Sequence, residues 1–131
     1  MTEHNNFQAT FEKLKTILKP YEAKLIVVHD TDNNYYLDTS HVMKNKQRLF
    51  FAAVRAGKAY VSFHLMPVYA SPNLLKDMSP ELRKRMQGKS CFNFKEVDKG
   101  LFRELKALTK DGAAKFSNEK FVDALRKMQG G

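Results

Sequence analysis

The N-terminal part of the chain combines a helical and a strand-like hydrophobic pattern. Apolar residues recur at helical spacing over 7–18, which predicts an amphipathic helix. Pro20 ends that helix, because the residue before a proline avoids the helical region. The apolar run 25–28 and the segment 35–39 flank a cluster of turn-forming residues. These two segments predict a first β-hairpin.

The middle of the chain predicts two further strands. From Arg48 to Arg55 both alternating faces are apolar, which is typical of a strand in the middle of a sheet. After the turn 56–58, the segment 60–66 returns with alternating faces. Val61, Phe63 and Leu65 lie on one face, and Ser62, His64 and Met66 on the other. Such short connections join antiparallel neighbours, so the sheet is predicted to be a meander.

Helix signals dominate the rest of the chain, after an irregular stretch between two prolines at 67 and 72. Ser79 predicts the start of a short helix, which Gly88 would end as a left-handed C-cap. Residues 90–95 alternate and predict a strand. Asp98 and Ser117 each predict the N-cap of a further helix, with a break at 111–112.

These elements predict one α+β domain over residues 1–131. Its antiparallel sheet would have about five strands, with helices packed on it as a two-layer sandwich. A length of 131 residues and a composition of 43% hydrophobic and 28% charged residues are those of an ordinary globular domain. No apolar run approaches the roughly 20 residues that cross a bilayer. Residues 1–6 lack the pattern of a secretory signal and Cys91 is the only cysteine, so a cytoplasmic location is expected.

The net charge of +9 favours an anionic partner. The excess lies in residues 48–131, where 48–69, 70–100 and 101–131 each carry three net positive charges. Such a field attracts nucleic acid, phosphorylated metabolites or acidic proteins. The alternative is a solvated basic surface that keeps the protein soluble. No membrane partner is expected, and the sequence leaves the oligomeric state open.

Gly88-Lys-Ser90 matches only the end of a phosphate-binding loop. That loop needs a glycine five residues before Gly88, where Arg83 stands, and it runs from a strand into a helix. A narrower hypothesis is that Arg83, Arg85 and Lys89 gather at a helix end and bind an anion. A solvated helix face is the alternative.

Four polar residues form a second candidate site. His64 shares a strand face with Ser62, and Cys91 shares one with Asn93. If the two strands are neighbours, a Cys/His pair becomes available for thiol chemistry. The alternative is a packed, hydrogen-bonded set of residues with an inert thiol.

Two weaker patterns concern metals and aromatic rings. Asp30, Asp32 and Asp38 cluster about the first hairpin, where carboxylates could hold a hard cation, but the calcium-loop pattern is incomplete. Such residues also bond the backbone of turns. Tyrosines accompany basic residues in a way that could stack single-stranded bases, or simply pack the sheet. They are Tyr35, Tyr36, Tyr60 and Tyr69.

Residues 57–116 resemble the YdhG-like family, a bacterial domain of unknown function. The resemblance rests on Tyr60-Val-Ser-Phe-His-Leu65, Leu74, Leu75, Leu82, Gly88-Lys-Ser90, Phe92-Asn-Phe94, Asp98, Leu101 and Leu105. It implies an α+β sandwich similar to that of frataxin, and an iron-carrier role has been considered for some relatives. Residues 25–38 depart from the family plan. The acidic ridge of frataxin-like iron handling is also missing, because helix 7–19 carries Glu12 against three lysines.

No complete catalytic set is present in the sequence. The leading hypothesis is therefore a non-catalytic binding or adaptor module with a basic surface for an anionic partner. The alternatives are a frataxin-like iron carrier and a thiol-dependent enzyme using Cys91 and His64. No cofactor and no resident metal site are expected.

Overall fold

The computed structural model describes the backbone of residues 3–129 and the side chains of residues 7–128. Its elements are, in chain order, α1 (Glu3–Leu18), a 3-10 helix (Lys19–Lys24), β1 (Ile26–Asp30), β2 (Asn34–Val42), β3 (Arg48–Ala56), β4 (Val61–Leu65), α2 (Met66–Ala70), a second 3-10 helix (Pro72–Leu75), α3 (Pro80–Arg83), β5 (Met86–Gln87), β6 (Cys91–Phe94), α4 (Lys99–Phe116) and α5 (Glu119–Gln129). Within the described residues, none of these helices has the length and apolar character that a membrane crossing requires.

The strands form one open antiparallel sheet in the order β1-β2-β3-β4-β6-β5. The predicted α+β fold is confirmed, and β1 to β4 form the expected meander. A sixth strand is added at the edge, because the two residues of β5 pair with β6. A strand this short has no alternating pattern that could predict it.

Gly88 has the left-handed backbone that the sequence predicts, with φ at 78°, but it does not end a helix. Helix α3 ends at Arg83, and Gly88 lies in the turn that joins β5 to β6. Both a helix C-cap and a tight hairpin turn favour a glycine at positive φ. The sequence pattern therefore identified the backbone conformation and assigned it to the wrong element.

The predicted helix break at 111–112 is also wrong, because α4 continues to Phe116. Gly112 lies inside the helix against α2. A Cβ atom on Gly112 would sit 2.8 Å from Pro67 Cβ, closer than real side chains approach. The glycine lets two helices pack closely instead of interrupting one of them.

The helix caps agree with the sequence at two of three positions. Ser79 Oγ and Asp98 Oδ1 accept hydrogen bonds from the backbone N–H groups three residues later, at 3.1 and 3.0 Å. Ser117 is not the N-cap of α5, since its hydroxyl donates back to the carbonyl of Ala113. Asn118 caps α5 instead, with Oδ1 accepting from the N–H of Phe121 at 3.1 Å.

The hydrophobic core fills one face of the sheet. Helix α1 packs on β3 and β4, and α4 packs on α1 and α2. Large apolar side chains from both layers are completely buried between them. They include Phe11, Leu14 and Leu18 of α1, Leu105 of α4, and Tyr35, Leu37, Val54, Phe63, Leu65 and Phe92 of the sheet. The result is the predicted two-layer arrangement.

Candidate ligand-binding face

The second face of the sheet takes no part in the hydrophobic core. We call its side chains the open face. One row crosses all six strands through register partners, and it consists of His29, Tyr36, Ala53, His64, Cys91 and Gln87. A second row crosses four strands and consists of Asn34, Arg55, Ser62 and Asn93. None of these ten residues belongs to the core cluster, and most are half-buried or exposed.

A β-bulge places an aromatic residue on the open face. Leu37 pairs with Ala52 but Asp38 pairs with Phe50, so Phe51 is an extra residue in β3. Phe51 and Ala52 both join the core, while Phe50 stacks on Tyr36 with ring centres 4.7 Å apart and an interplanar angle of 28°. The prediction that β3 is central is confirmed. The second apolar face of β3, however, lies outside the core, where Phe50 stacks on Tyr36.

The structure brings together the four residues of the predicted polar site. Ser62 pairs with Asn93 and His64 with Cys91 across β4 and β6. Ser62 Oγ and Cys91 Sγ both donate to Asn93 Oδ1, at 2.8 and 3.3 Å. Cys91 Sγ lies 3.8 Å from His64 Nε2. The adjacency that the sequence left open therefore exists, with Asn93 at its centre.

The electrostatics of this site favour the neutral forms of both titratable groups. Burial lowers the pKa of His64, and the nearby positive charge of Arg55 lowers it further. Burial raises the pKa of the Cys91 thiol, and hydrogen bonding to Ser62 offsets only part of that shift. A nucleophilic cysteine needs a lowered pKa beside a cationic partner. The pair therefore has the contacts of a catalytic dyad without its charge state.

Next to this site, the edge of the sheet forms a basic groove of about 330 Å³. It is lined by Tyr60, Lys84, Arg85, Met86, Gln87, Asn93 and Lys95, and we call it the basic groove. Among the described residues, no carboxylate forms an ion pair with any of its three cations. Hydrogen bonds from Asn93 Nδ2 and the Tyr60 hydroxyl to Gln87 Oε1, at 2.7 and 3.4 Å, connect its floor to the open face.

Of the three residues in the predicted anion site, only Arg85 lines this groove. Arg83 and Lys89 are exposed and do not line it. Their place as anion ligands stays a prediction. Lys84 and Lys95 are groove residues outside the predicted site. Lys95 directly follows β6, and the pairing of β5 with β6 brings it to the same edge as Lys84 and Arg85.

The acidic residues of the first hairpin are largely paired with cations. Lys15 Nζ lies 2.6 Å from Asp30 Oδ1, and this contact lowers the pKa of Asp30. Arg48 Nε lies 3.3 Å from Asp38 Oδ2. In the part of the chain whose side chains are described, no group of three or more His, Cys, Asp or Glu residues could hold a metal ion. The pairing of Asp30 and Asp38 with cations does not favour the iron-carrier alternative.

The four tyrosines of the predicted stacking pattern lie in different environments. Tyr35 is fully buried in the core and its hydroxyl donates to Glu22, while Tyr69 is exposed on α2. Tyr36 lies on the open face and Tyr60 lines the basic groove. Two of the four are therefore placed where a ligand on the open side could reach them.

No family model, curated protein or solved structure matches the chain.

Proposed function

We propose that this protein is a small cytoplasmic, non-catalytic binding module that holds an anionic partner in the basic groove. The observation that carries the proposal is a set of three cations around one concave site, Lys84, Arg85 and Lys95, none of which forms an ion pair with a carboxylate in the part of the chain whose side chains are described. Anions are attracted most strongly where several cations converge and no carboxylate neutralises them.

The groove is also equipped to orient an anion once it is bound. Gln87 and Asn93 supply amide N–H groups beside the cations. Because Asn93 Oδ1 is occupied by donors from the open face, its amide and that of Gln87 are fixed in direction. Fixed polar groups reduce the entropy lost on binding.

The proposal includes membership of the YdhG-like family, on the residues quoted above. The α+β arrangement of sheet and helices is consistent with that membership. The lowered pKa of His64 and the raised pKa of Cys91 do not favour the thiolate–imidazolium pair that thiol catalysis would use. A cytoplasmic location is in keeping with a single cysteine that has no disulfide partner within the chain.

The test uses an abasic deoxyribose-phosphate chain, which carries the charge of a nucleic acid strand without bases. We expect fluorescence anisotropy to show binding that weakens as salt rises, with a log–log slope of about −0.7 for each phosphate neutralised. Replacing Lys84 and Arg85 together by Gln should make that slope shallower by about 0.7 per cation removed.

A charge-matched control uses Lys106→Gln with Lys110→Gln, which removes two exposed lysines from α4 in the other layer. This double variant should bind like the unchanged protein. Equal weakening by both double variants would assign the attraction to bulk charge and overturn the proposed groove.

A further inference from the structure

An aromatic cavity of about 280 Å³ lies on the open face, on the same side of the sheet as the basic groove but several strands away from it. Its lining residues are His29, Asn34, Tyr36, Phe50, Ala53, Arg55 and His64. The stacked pair of Tyr36 and Phe50 forms one wall, with the ring of His29 edge-on to Tyr36 at 5.8 Å. A flat aromatic group could stack there beside an arginine and hydrogen-bonding side chains.

The cavity and the basic groove belong to one continuous surface. Arg55 and His64 line the cavity, and their register partners on the next strands are Ser62 and Cys91. Ser62 in turn bonds to Asn93, which lines the groove. From β2 to β6 the surface spans three strand spacings, about 14 Å. A single ligand that fills both sites must be extended, with an aromatic part and an anionic part.

The charges of this surface match a phosphate backbone. Arg55 is exposed at the cavity, and three cations without an ion-pair partner among the described residues border the groove. The one carboxylate of β2 on this side, Asp38, is already paired with Arg48. A strand of nucleic acid carries both stackable bases and anionic phosphates, and this surface offers rings for the first and cations for the second at separate positions.

Building on the proposed function, we propose that the open face binds single-stranded nucleic acid. One base stacks in the cavity against the Tyr36–Phe50 pair, and the following phosphates cross the sheet into the basic groove. A duplex fits poorly because its bases are stacked on one another and have no free face for the rings. Other antiparallel sheets with exposed aromatic residues stack two or three bases in this manner.

The first experiment compares two probes on the unchanged protein. A single-stranded oligothymidylate of about ten nucleotides should bind at least about ten times more tightly than the abasic chain of equal length. The reason is that each base that stacks on the protein strengthens binding. A duplex of the same length should bind more weakly than the single strand. Because no residue is changed, folding defects cannot affect the result.

The second experiment separates the cavity from the groove. Tyr36→Leu with Phe50→Leu keeps the volume apolar but removes the rings, so it should weaken oligothymidylate binding about tenfold and leave abasic binding unchanged. The Lys84→Gln, Arg85→Gln variant should weaken both. Thermal unfolding of each variant checks that it is folded.

The outcomes separate this inference from the proposed function. If the abasic chain binds as tightly as the oligothymidylate, or the duplex as tightly as the single strand, the open face does not read bases and this inference fails while the anion groove stands. If thymidine monophosphate binds the cavity but the oligothymidylate gains nothing over the abasic chain, the inference also fails. If neither chain binds, both proposals fail.

Discussion

The same strands form both faces of the sheet, but the two faces differ in burial and polarity. On the core face, Phe63 and Phe92 are fully buried under the helices. On the open face, their neighbours along the strands are half-buried polar groups that bond to one another. Alternation of side chains along a strand makes this separation automatic. The sheet thus has its buried apolar side chains on one face and leaves polar groups near the surface on the other.

Removing a large core side chain should have the largest effect. Phe63→Ala leaves a cavity under the helices, and we expect it to lower the free energy of unfolding by about 3–5 kcal/mol. Phe50→Ala on the open face should cost about 1–2 kcal/mol, since Phe50 is only half-buried and loses one aromatic partner. Urea unfolding of both variants measures the difference. Equal losses would mean that the open face is a second core.

The close approach of α4 to α2 helps to cover the core face. Disturbing it should have the second largest effect on stability. Gly112→Ala gains helix propensity of about 1 kcal/mol but forces a Cβ to 2.8 Å from Pro67. Because such overlap typically costs about 1–3 kcal/mol, we expect a net destabilisation. Gly100→Ala, in the same helix, is the matched control, since its nearest neighbour would be Asp98 Oδ1 at 3.6 Å. That variant should be neutral or stabilising, and a stabilising Gly112→Ala would contradict the packing described.

The sequence predicted the core face better than the open face. Alternation within β4 and within β6 separated Phe63 and Phe92 from the polar residues beside them in each strand, because period-two patterns distinguish the two faces of a strand. The open face depends on register, which pairs Ser62 with Asn93 and His64 with Cys91 and has no local signal. The bulge that turns Phe50 outward and the turn that brings Lys84 and Lys95 to one edge also depend on pairing. Sequence reasoning could name the polar residues but could not assemble the site.

The pH dependence of stability offers a smaller test of the open face. Since the pKa of His64 is lowered in the folded state, the unfolded state binds more protons between the folded and unfolded values. Stability from this residue is therefore complete above about pH 6.5 and decreases as the pH falls toward the folded value. We expect urea midpoints between pH 7 and pH 5 to fall more for the unchanged protein than for His64→Gln. Parallel profiles would place His64 in an environment no different from water.

The alkylation rate of Cys91 should differ least from that of an ordinary thiol. Its pH dependence still distinguishes an inert surface thiol from the nucleophile of an active site. With its pKa raised by burial, the thiol should be alkylated by iodoacetamide with a pH–rate inflection above the usual value of 9.0. Cys91→Ser gives the background, because no other cysteine is present. An inflection well below that value, lost in His64→Gln, would reveal a thiolate–imidazolium pair and restore the thiol-enzyme alternative. A slow, unactivated thiol leaves the four polar residues as a hydrogen-bonded surface without thiol chemistry.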